Sequence, residues 1–333
     1  MARDLVDRIT TQLRERYVLG DVGARTAGAL REAAADGALA DLDGAALATA
    51  VTDVLRRASQ DRHLQLRFSA TLKDPATGDE WADPDFLAAY WAEQDHHNHG
   101  IHKSERLAGN IGLLVIESLD EPEGTGPVLD GALSFLGRCA ALILDVRDSN
   151  GGAPTGVAYL VSHFVDPPTR KLMDVVDRNG SVVMQTWTQT HLSAPRFTSQ
   201  PLYVLTSSRT PSGTEELAYD LQAMGRARVV GETTVGAANP VESVVVDPHF
   251  VLRLPTQRVV AHDTGGSWEG TGVVPDVHCA ASDALEVAHQ LAAERLIETG
   301  ATVPKGVRRE LEQVLGISER SSGQPPGQPP GSP

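Results

Sequence analysis

Three short segments of this chain carry residue types that could do chemistry together. The first is Thr206-Ser207-Ser208-Arg209-Thr210-Pro211-Ser212-Gly213-Thr214-Glu215-Glu216, which follows the apolar run Leu202-Tyr203-Val204-Leu205 and precedes a helical pattern over Leu217–Met224. A serine at such a strand-to-helix junction stands at the rim of a sheet, with the amides of a helix N-terminus aimed at it. Those amides can stabilise an oxyanion formed when a hydroxyl attacks a carbonyl. Gly213, having no side chain, lets a substrate oxygen approach its N–H. The same spacing also serves a structural end, with Ser212 capping the helix and Glu215 completing a capping box.

The second segment, Asp145-Val146-Arg147-Asp148-Ser149-Asn150-Gly151-Gly152, closes another buried strand with a glycine-rich turn. Gly151 and Gly152 suit a close backbone approach to a ligand, and the carboxyl end of a strand is where open α/β sheets bind one. Asn-Gly is equally a common turn dipeptide. Arg147 suits either a substrate carboxylate or an ordinary salt bridge. The third segment, Trp268-Glu269-Gly270-Thr271-Gly272-Val273-Val274-Pro275-Asp276, sets one carboxylate among glycines and reads alone as a loop. Glu215 and Glu216 open a helix, where carboxylates favour the dipole. The cluster Asp95-His96-His97-Asn98-His99-Gly100-Ile101-His102 lacks any zinc-ligand spacing and reads as a solvated loop, so no metal or cofactor is expected. Cys139 and Cys279 form no C-x-x-C pair and read as buried thiols.

The elements that must position these residues are visible as periodicity. Leu5, Ile9 and Leu13 line one face of a first helix, residues 24–35 are Ala-rich and helical, and Asp43 caps a third helix carrying Leu47, Val51, Val54, Leu55 and Ala58. Alternating Leu64, Leu66 and Phe68 predict a strand leaving this unit. Residues 71–108 are polar and predict a linker with one short helix near 83–93. Beyond, strand-like runs at Ile111–Ile116, Ala141–Asp145, Leu202–Thr206, Arg228–Gly231 and Val241–Val246 alternate with helical stretches near 125–136, 154–164 and 213–224. That alternation is the mark of an α/β layer with right-handed crossovers. The expected organisation is a helical subdomain over 1–70, the linker over 71–108, an α/β domain over 109–300, a C-terminal helix over 301–320 and a disordered Pro/Gly tail over 321–333.

Composition excludes several partner classes. With 41% hydrophobic residues the 333-residue chain can bury a sizeable core, and its formal charge is −15. A surface of that sign repels phosphate backbones and anionic headgroups, so neither nucleic acid nor a membrane is an expected partner. Aromatics at 5% are too sparse for a base-stacking platform. The N-terminal residues hold no apolar signal-like region and no run reaches membrane-spanning length, which predicts a cytoplasmic, reduced protein.

Taken in order, Asp-Val-Arg-Asp-Ser-Asn-Gly-Gly, Thr-Ser-Ser-Arg-Thr-Pro-Ser-Gly-Thr-Glu-Glu, Val-Gly-Glu-Thr-Thr and Trp-Glu-Gly-Thr-Gly-Val-Val-Pro-Asp resemble the tail-specific (C-terminal processing) serine peptidase family. Within it the chain is most similar to the branch related to interphotoreceptor retinoid-binding protein and the tricorn-like peptidases. The segments Ser59-Gln60-Asp61-Arg62-His63-Leu64 and Glu105-Arg106-Leu107-Ala108-Gly109-Asn110-Ile111-Gly112 also look typical of that branch, so the resemblance spans most of residues 1–296. It implies a ClpP/crotonase-like layered α/β domain behind a small N-terminal helical bundle.

For chemistry the resemblance cuts two ways. Tail-specific peptidases pair the serine with a downstream lysine, and the matching residue here is Ala237. Tricorn-like and chlamydial peptidases use Ser, His and Glu, and the matching residues are Ser212, His63 and Glu269. The resemblance then implies Ser212 as nucleophile, His63 as base and Glu269 as orienter, with Gly213, Gly151 and Gly152 supplying oxyanion donors. The stretch between His63 and Gly109 is too short for a PDZ domain, so tail selection is not expected. The chain is expected to be a serine hydrolase cleaving peptide or other acyl bonds, with a homo-oligomer possible. The alternative is a non-proteolytic member that binds an apolar small molecule or serves a biosynthetic pathway, as the retinoid-binding relative implies.

Overall fold

A computed structural model describes residues 2–71, 84–299 and 303–317. The chain opens with three helices, α1 (Ala2–Arg16), α2 (Gly20–Ala35) and α3 (Gly44–Ser59). Their stripes Leu5, Ile9, Leu13 and Leu47, Val51, Leu55 are buried, as the periodicity predicts. The helices do not close this core alone. Leu64 and Leu66 join it, with Val246, Phe250, Leu252 and Leu254 from the second half of the chain. These belong to a three-stranded antiparallel sheet of β1 (Gln65–Phe68), β10 (Phe250–Pro255) and β9 (Val241–Asp247), in which Leu66 faces Leu252. The strand carrying the residues just after His63 is thereby sewn to the body of the molecule.

That body is a six-stranded sheet in the order β12-β8-β7-β4-β3-β2. Strands β3 (Ile111–Ile116), β4 (Ala141–Asp145), β7 (Leu202–Thr206), β8 (Arg228–Gly231) and β12 (Val277–His278) run parallel, and β2 (Ile101–Leu107) is antiparallel to β3. Alternate residues of the parallel strands pack on opposite faces. Leu142 and Leu144 meet α5 (Pro122–Leu136), α6 (Pro154–Ser162) and α7 (Gly213–Ala223), while Ala141 and Ile143 meet α8 (Ala284–Glu298) and α9 (Lys305–Val314). Burial on both faces explains why these strands are continuous apolar runs. The result is a layered α/β fold, and no PDZ domain is evident among the described residues.

Several expectations change. The polar stretch 71–108 supplies more than a linker: it contains α4 (Pro84–His96) and then β2, which is hydrogen-bonded to β3. Strand β2 escaped the pattern because only Ile101 is fully buried and a register shift at Ile101–Lys103 breaks the alternation. A third sheet, in the order β11-β5-β6, was also missed; it comprises β5 (Lys171–Asp177), β6 (Val182–Trp187) and β11 (Gln257–Ala261). The histidine cluster is the end of α4, a 3-10 turn and the start of β2, with His99 largely buried beside Asp95 at 2.9 Å and His97 on Glu93 at 3.1 Å. Most of the cluster is solvated as expected, but it lies in regular elements rather than a loop, and no group of three metal-ligating side chains occurs among the described residues. Cys139 is buried, whereas Cys279 is half-exposed at the end of β12. The expected tail over 321–333 lies outside the described residues, as do 72–83 of the linker. No helix among the described residues is long and apolar enough to cross a membrane.

Candidate active site

In the central sheet Asp145 of β4 lies opposite Leu205 of β7, so the turns after both strands emerge side by side at the carboxyl edge. Short side chains strap them together. Thr210 Oγ1 donates to the Val146 carbonyl at 2.9 Å, and Ser149 and Thr214 share a buried hydroxyl contact of 2.5 Å. Between these straps Ser212 is held at φ 54°, ψ −127°, a region that L-residues rarely occupy. The turn at Gly151 is left-handed, φ 96°, and a Cβ there would come within 3.1 Å of the Ser212 Cβ. A Cβ on Gly213 would run into the Gly152 carbonyl oxygen at 2.5 Å. Glycine at both places is what lets the two backbones meet. Ser212 thus stands at the head of α7, against the Gly151–Gly152 turn.

Beneath it lies Glu215, whose contacts go beyond the capping role read from the sequence. Glu215 is fully buried, and its oxygens accept from Thr234 Oγ1 at 2.5 Å and from the backbone N–H groups of Gly236 at 2.6 Å, Ala237 at 2.9 Å and Ser212 at 2.8 Å. Burial pushes its pKa up, and these donors pull the other way. The expected capping box of Ser212 and Glu215 is therefore present, and the same carboxylate ties the Ser212 turn to the loop after β8. Ala237, where the family resemblance calls for lysine, is buried and offers only its N–H.

The same loop also meets Glu269, which follows β11. One oxygen of that side chain, Oε2, accepts the N–H groups of Ala238 at 2.7 Å and Asn239 at 2.8 Å. The other, Oε1, is buried without a hydrogen-bond partner. Burial, reinforced by the nearby Asp61 charge, pushes the Glu269 carboxyl up to about 7, despite the two amides that favour the ionised form. Asn239 also borders His63, whose ring it favours in the charged form through its backbone. His63 Nδ1 is likewise buried and unpartnered. Burial lowers the His63 pKa, helped by Arg253 and Arg56 and opposed by Asp61. His63 and Glu269 thus share two neighbours, Asp61 and Asn239. Among the described residues no hydrogen bond joins His63 to either Ser212 or Glu269.

Asp61 and Tyr17 are further residues the sequence did not single out. Asp61 is almost fully buried; its Oδ1 accepts the His63 backbone N–H at 2.8 Å and its Oδ2 accepts the Tyr17 hydroxyl at 2.7 Å. Tyr17 follows α1, so the N-terminal helices reach His63 through this pair. The Asp-x-His spacing was the available signal.

Arg147 takes its salt-bridge option. Its Nε and Nη2 sit on Asp145 at 2.8 and 2.7 Å, and Nη1 donates to the Ala281 carbonyl at 2.5 Å. Those contacts commit the guanidinium to closing the turn, and a substrate carboxylate would have to displace them. Beside Gly151 and Gly152 opens a cavity of about 500 Å³ whose walls include Tyr90, Glu93, Glu117, Asp120 and Asp148.

A model of peptidase family S41 matches residues 110–279. Among solved structures, a candidate peptidase from Parabacteroides merdae is 19% identical with a TM-score of 0.63, covering 87% of this chain and 96% of its own. The photosystem II D1 C-terminal processing protease is 15% identical with a TM-score of 0.52, over 84% of this chain and 94% of its own. The tricorn protease is 13% identical with a TM-score of 0.54; the match covers 90% of this chain but 37% of that longer protein.

Proposed function

From the premise that this chain belongs to peptidase family S41, we propose that it is a serine peptidase working through Ser212, His63 and Glu269 rather than through a serine–lysine pair. The observation that carries the reading is the conformation of Ser212, φ 54° and ψ −127°, at the head of α7 and against the Gly151–Gly152 turn. Strain of this sort gathers at functional sites, and a plain helix cap does not call for it. Ser212 Oγ attacks the scissile carbonyl while His63 takes its proton. The resulting oxyanion is stabilised by the Gly213 N–H and the Gly151–Gly152 turn. His63 then protonates the leaving amine, and water repeats the sequence on the acyl-enzyme.

Glu269 supports the imidazolium when its carboxyl is ionised. Its unpartnered Oε1 and the unpartnered Nδ1 of His63 are a buried acceptor and a buried donor. Each is costly to leave unmade, and closing them on one another during turnover would satisfy both. The cavity beside Gly151 bears four carboxylates, Glu93, Glu117, Asp120 and Asp148. That polarity supports a peptide occupant over the apolar small molecule of the alternative reading.

The test is hydrolysis of a peptide library by the wild type and by Ser212→Ala. Cleavage by the wild type is expected, with loss of at least about 10⁴-fold in kcat for the variant. A folded wild type that cleaves nothing, or an equally active Ser212→Ala, would sink the proposal.

A further inference from the structure

Strand β6 is an outer strand of the sheet β11-β5-β6, and no strand pairs with its free edge among the described residues. Its side chains are unusually bare. Val182 is 53% exposed, Val183 50%, Met184 38% and Trp187 47%, and only Thr186 turns inward. An edge of this composition invites pairing unless charge or proline guards it. Neither does. Between Arg178 and Arg196 the chain has no Asp, Glu, Lys or Arg, and β6 itself has no proline. The charges beside the hairpin are matched among themselves, Lys171 with Asp174 at 2.8 Å and Arg170 with Asp263 at 3.0 Å.

We propose that β6 is the interface of a homodimer, in which a second copy adds its own β6 antiparallel across a two-fold axis and two three-stranded sheets become one of six. Three considerations select a second copy over a foreign peptide. First, molecules of charge −15 repel one another except through a neutral patch, and this edge is neutral. A basic or acidic partner finds no complementary charge here. Second, the strand is complementary to itself. A two-fold axis at Gln185 sets Val183 against Trp187 of the second copy and Met184 against its Thr186, and aromatic–β-branched pairs are favourable cross-strand neighbours. Third, the bare side chains present a patch on the order of a few hundred Å², the size that marks interaction sites on monomers. Doubled across the axis and extended by the flanking turns, it approaches the ~1,200 Å² of small specific interfaces. The register shift between Val175 and Val176 leaves Val183 as the extra residue of a bulge in β6, so regular pairing runs from Met184 to Thr186, with Trp187 reaching the bulged Val183 of the second copy.

Sedimentation velocity of the full chain over a concentration series tests this directly. A species of twice the chain mass is expected. Met184→Lys places like charges near the axis and is expected to raise the dimer dissociation constant at least tenfold, with an unchanged circular dichroism spectrum. As a measurement independent of that variant, Gln185→Cys in a Cys279→Ser background is expected to oxidise to a disulfide-linked dimer. Val274→Cys, also at an exposed position but outside this sheet, is expected not to. A wild type monomeric at every concentration, a dimer undiminished by Met184→Lys, or equal crosslinking at both cysteines would overturn the proposal.

Discussion

Ser212 holds a backbone conformation that costs an ordinary residue about 1–3 kcal/mol. Glycine would hold it without that strain, so Ser212→Gly is expected to melt higher than Ser212→Ala while both are inactive. Equal melting temperatures would show that the turn is not strained. The titration of Glu269 sets a second expectation. Its carboxyl is pushed up to about 7, so it is protonated below that pH and cannot stabilise the His63 imidazolium. In the proposed mechanism kcat/KM therefore rises with pH through about 7, and Glu269→Gln both lowers the plateau and removes this limb. A profile that falls over the same range would contradict the assigned role. Not all of this was legible. Ser212, His63 and Glu269 stand in segments whose residue types advertise chemistry. Glu215 shares the Ser212 segment and reads there only as a cap, because its further donors at Thr234, Gly236 and Ala237 are brought to it only by folding.

At the scale of elements, the turns after β4, β7 and β8 converge because their strands are parallel neighbours, and α1 reaches the same region through Tyr17 and Asp61. The Asp61 charge opposes the lowering of the His63 pKa by burial and adds to the raising of the Glu269 pKa. Asp61→Asn is therefore expected to move the acid limb of kcat/KM to lower pH, beyond any loss of rate. Tyr17→Phe leaves the charge in place and should cost about 1–3 kcal/mol of stability through the unmet Asp61 oxygen, without moving the limb. Urea unfolding and pH–rate profiles separate the two effects. The buried parallel strands were legible as apolar runs, and the N-terminal helices as stripes. Strand β2 was hidden by its polar exposed side and irregular register, and β6 by exposure of nearly every side chain. Periodicity reports burial on a face, and these strands lack a regular buried face.

At the scale of the whole molecule, the N-terminal helices and the α/β body share a core, since Phe250, Leu252 and Leu254 seal against Leu13, Leu55 and Leu64. The body carries a second titrating feature behind the site. Asp220, on α7 and buried with Glu216, has its pKa pushed up to about 8 by burial and by the Asp263 charge. A carboxyl whose folded pKa is raised stabilises the fold fully below its unfolded pKa of about 3.9, and this stabilisation is lost as pH rises through the folded value. The melting temperature is thus expected to fall between about pH 4 and pH 8, and Asp220→Asn to flatten that fall. An unchanged slope in the variant would assign the pH dependence elsewhere.

The nucleophile itself is open to direct observation. Intact-mass and peptide-level mass spectrometry after treatment with a fluorophosphonate reads which side chain becomes phosphonylated. A single adduct on Ser212, suppressed in a folded His63→Ala variant, is the predicted result. An adduct on another serine, or none on the folded wild type, would contradict it.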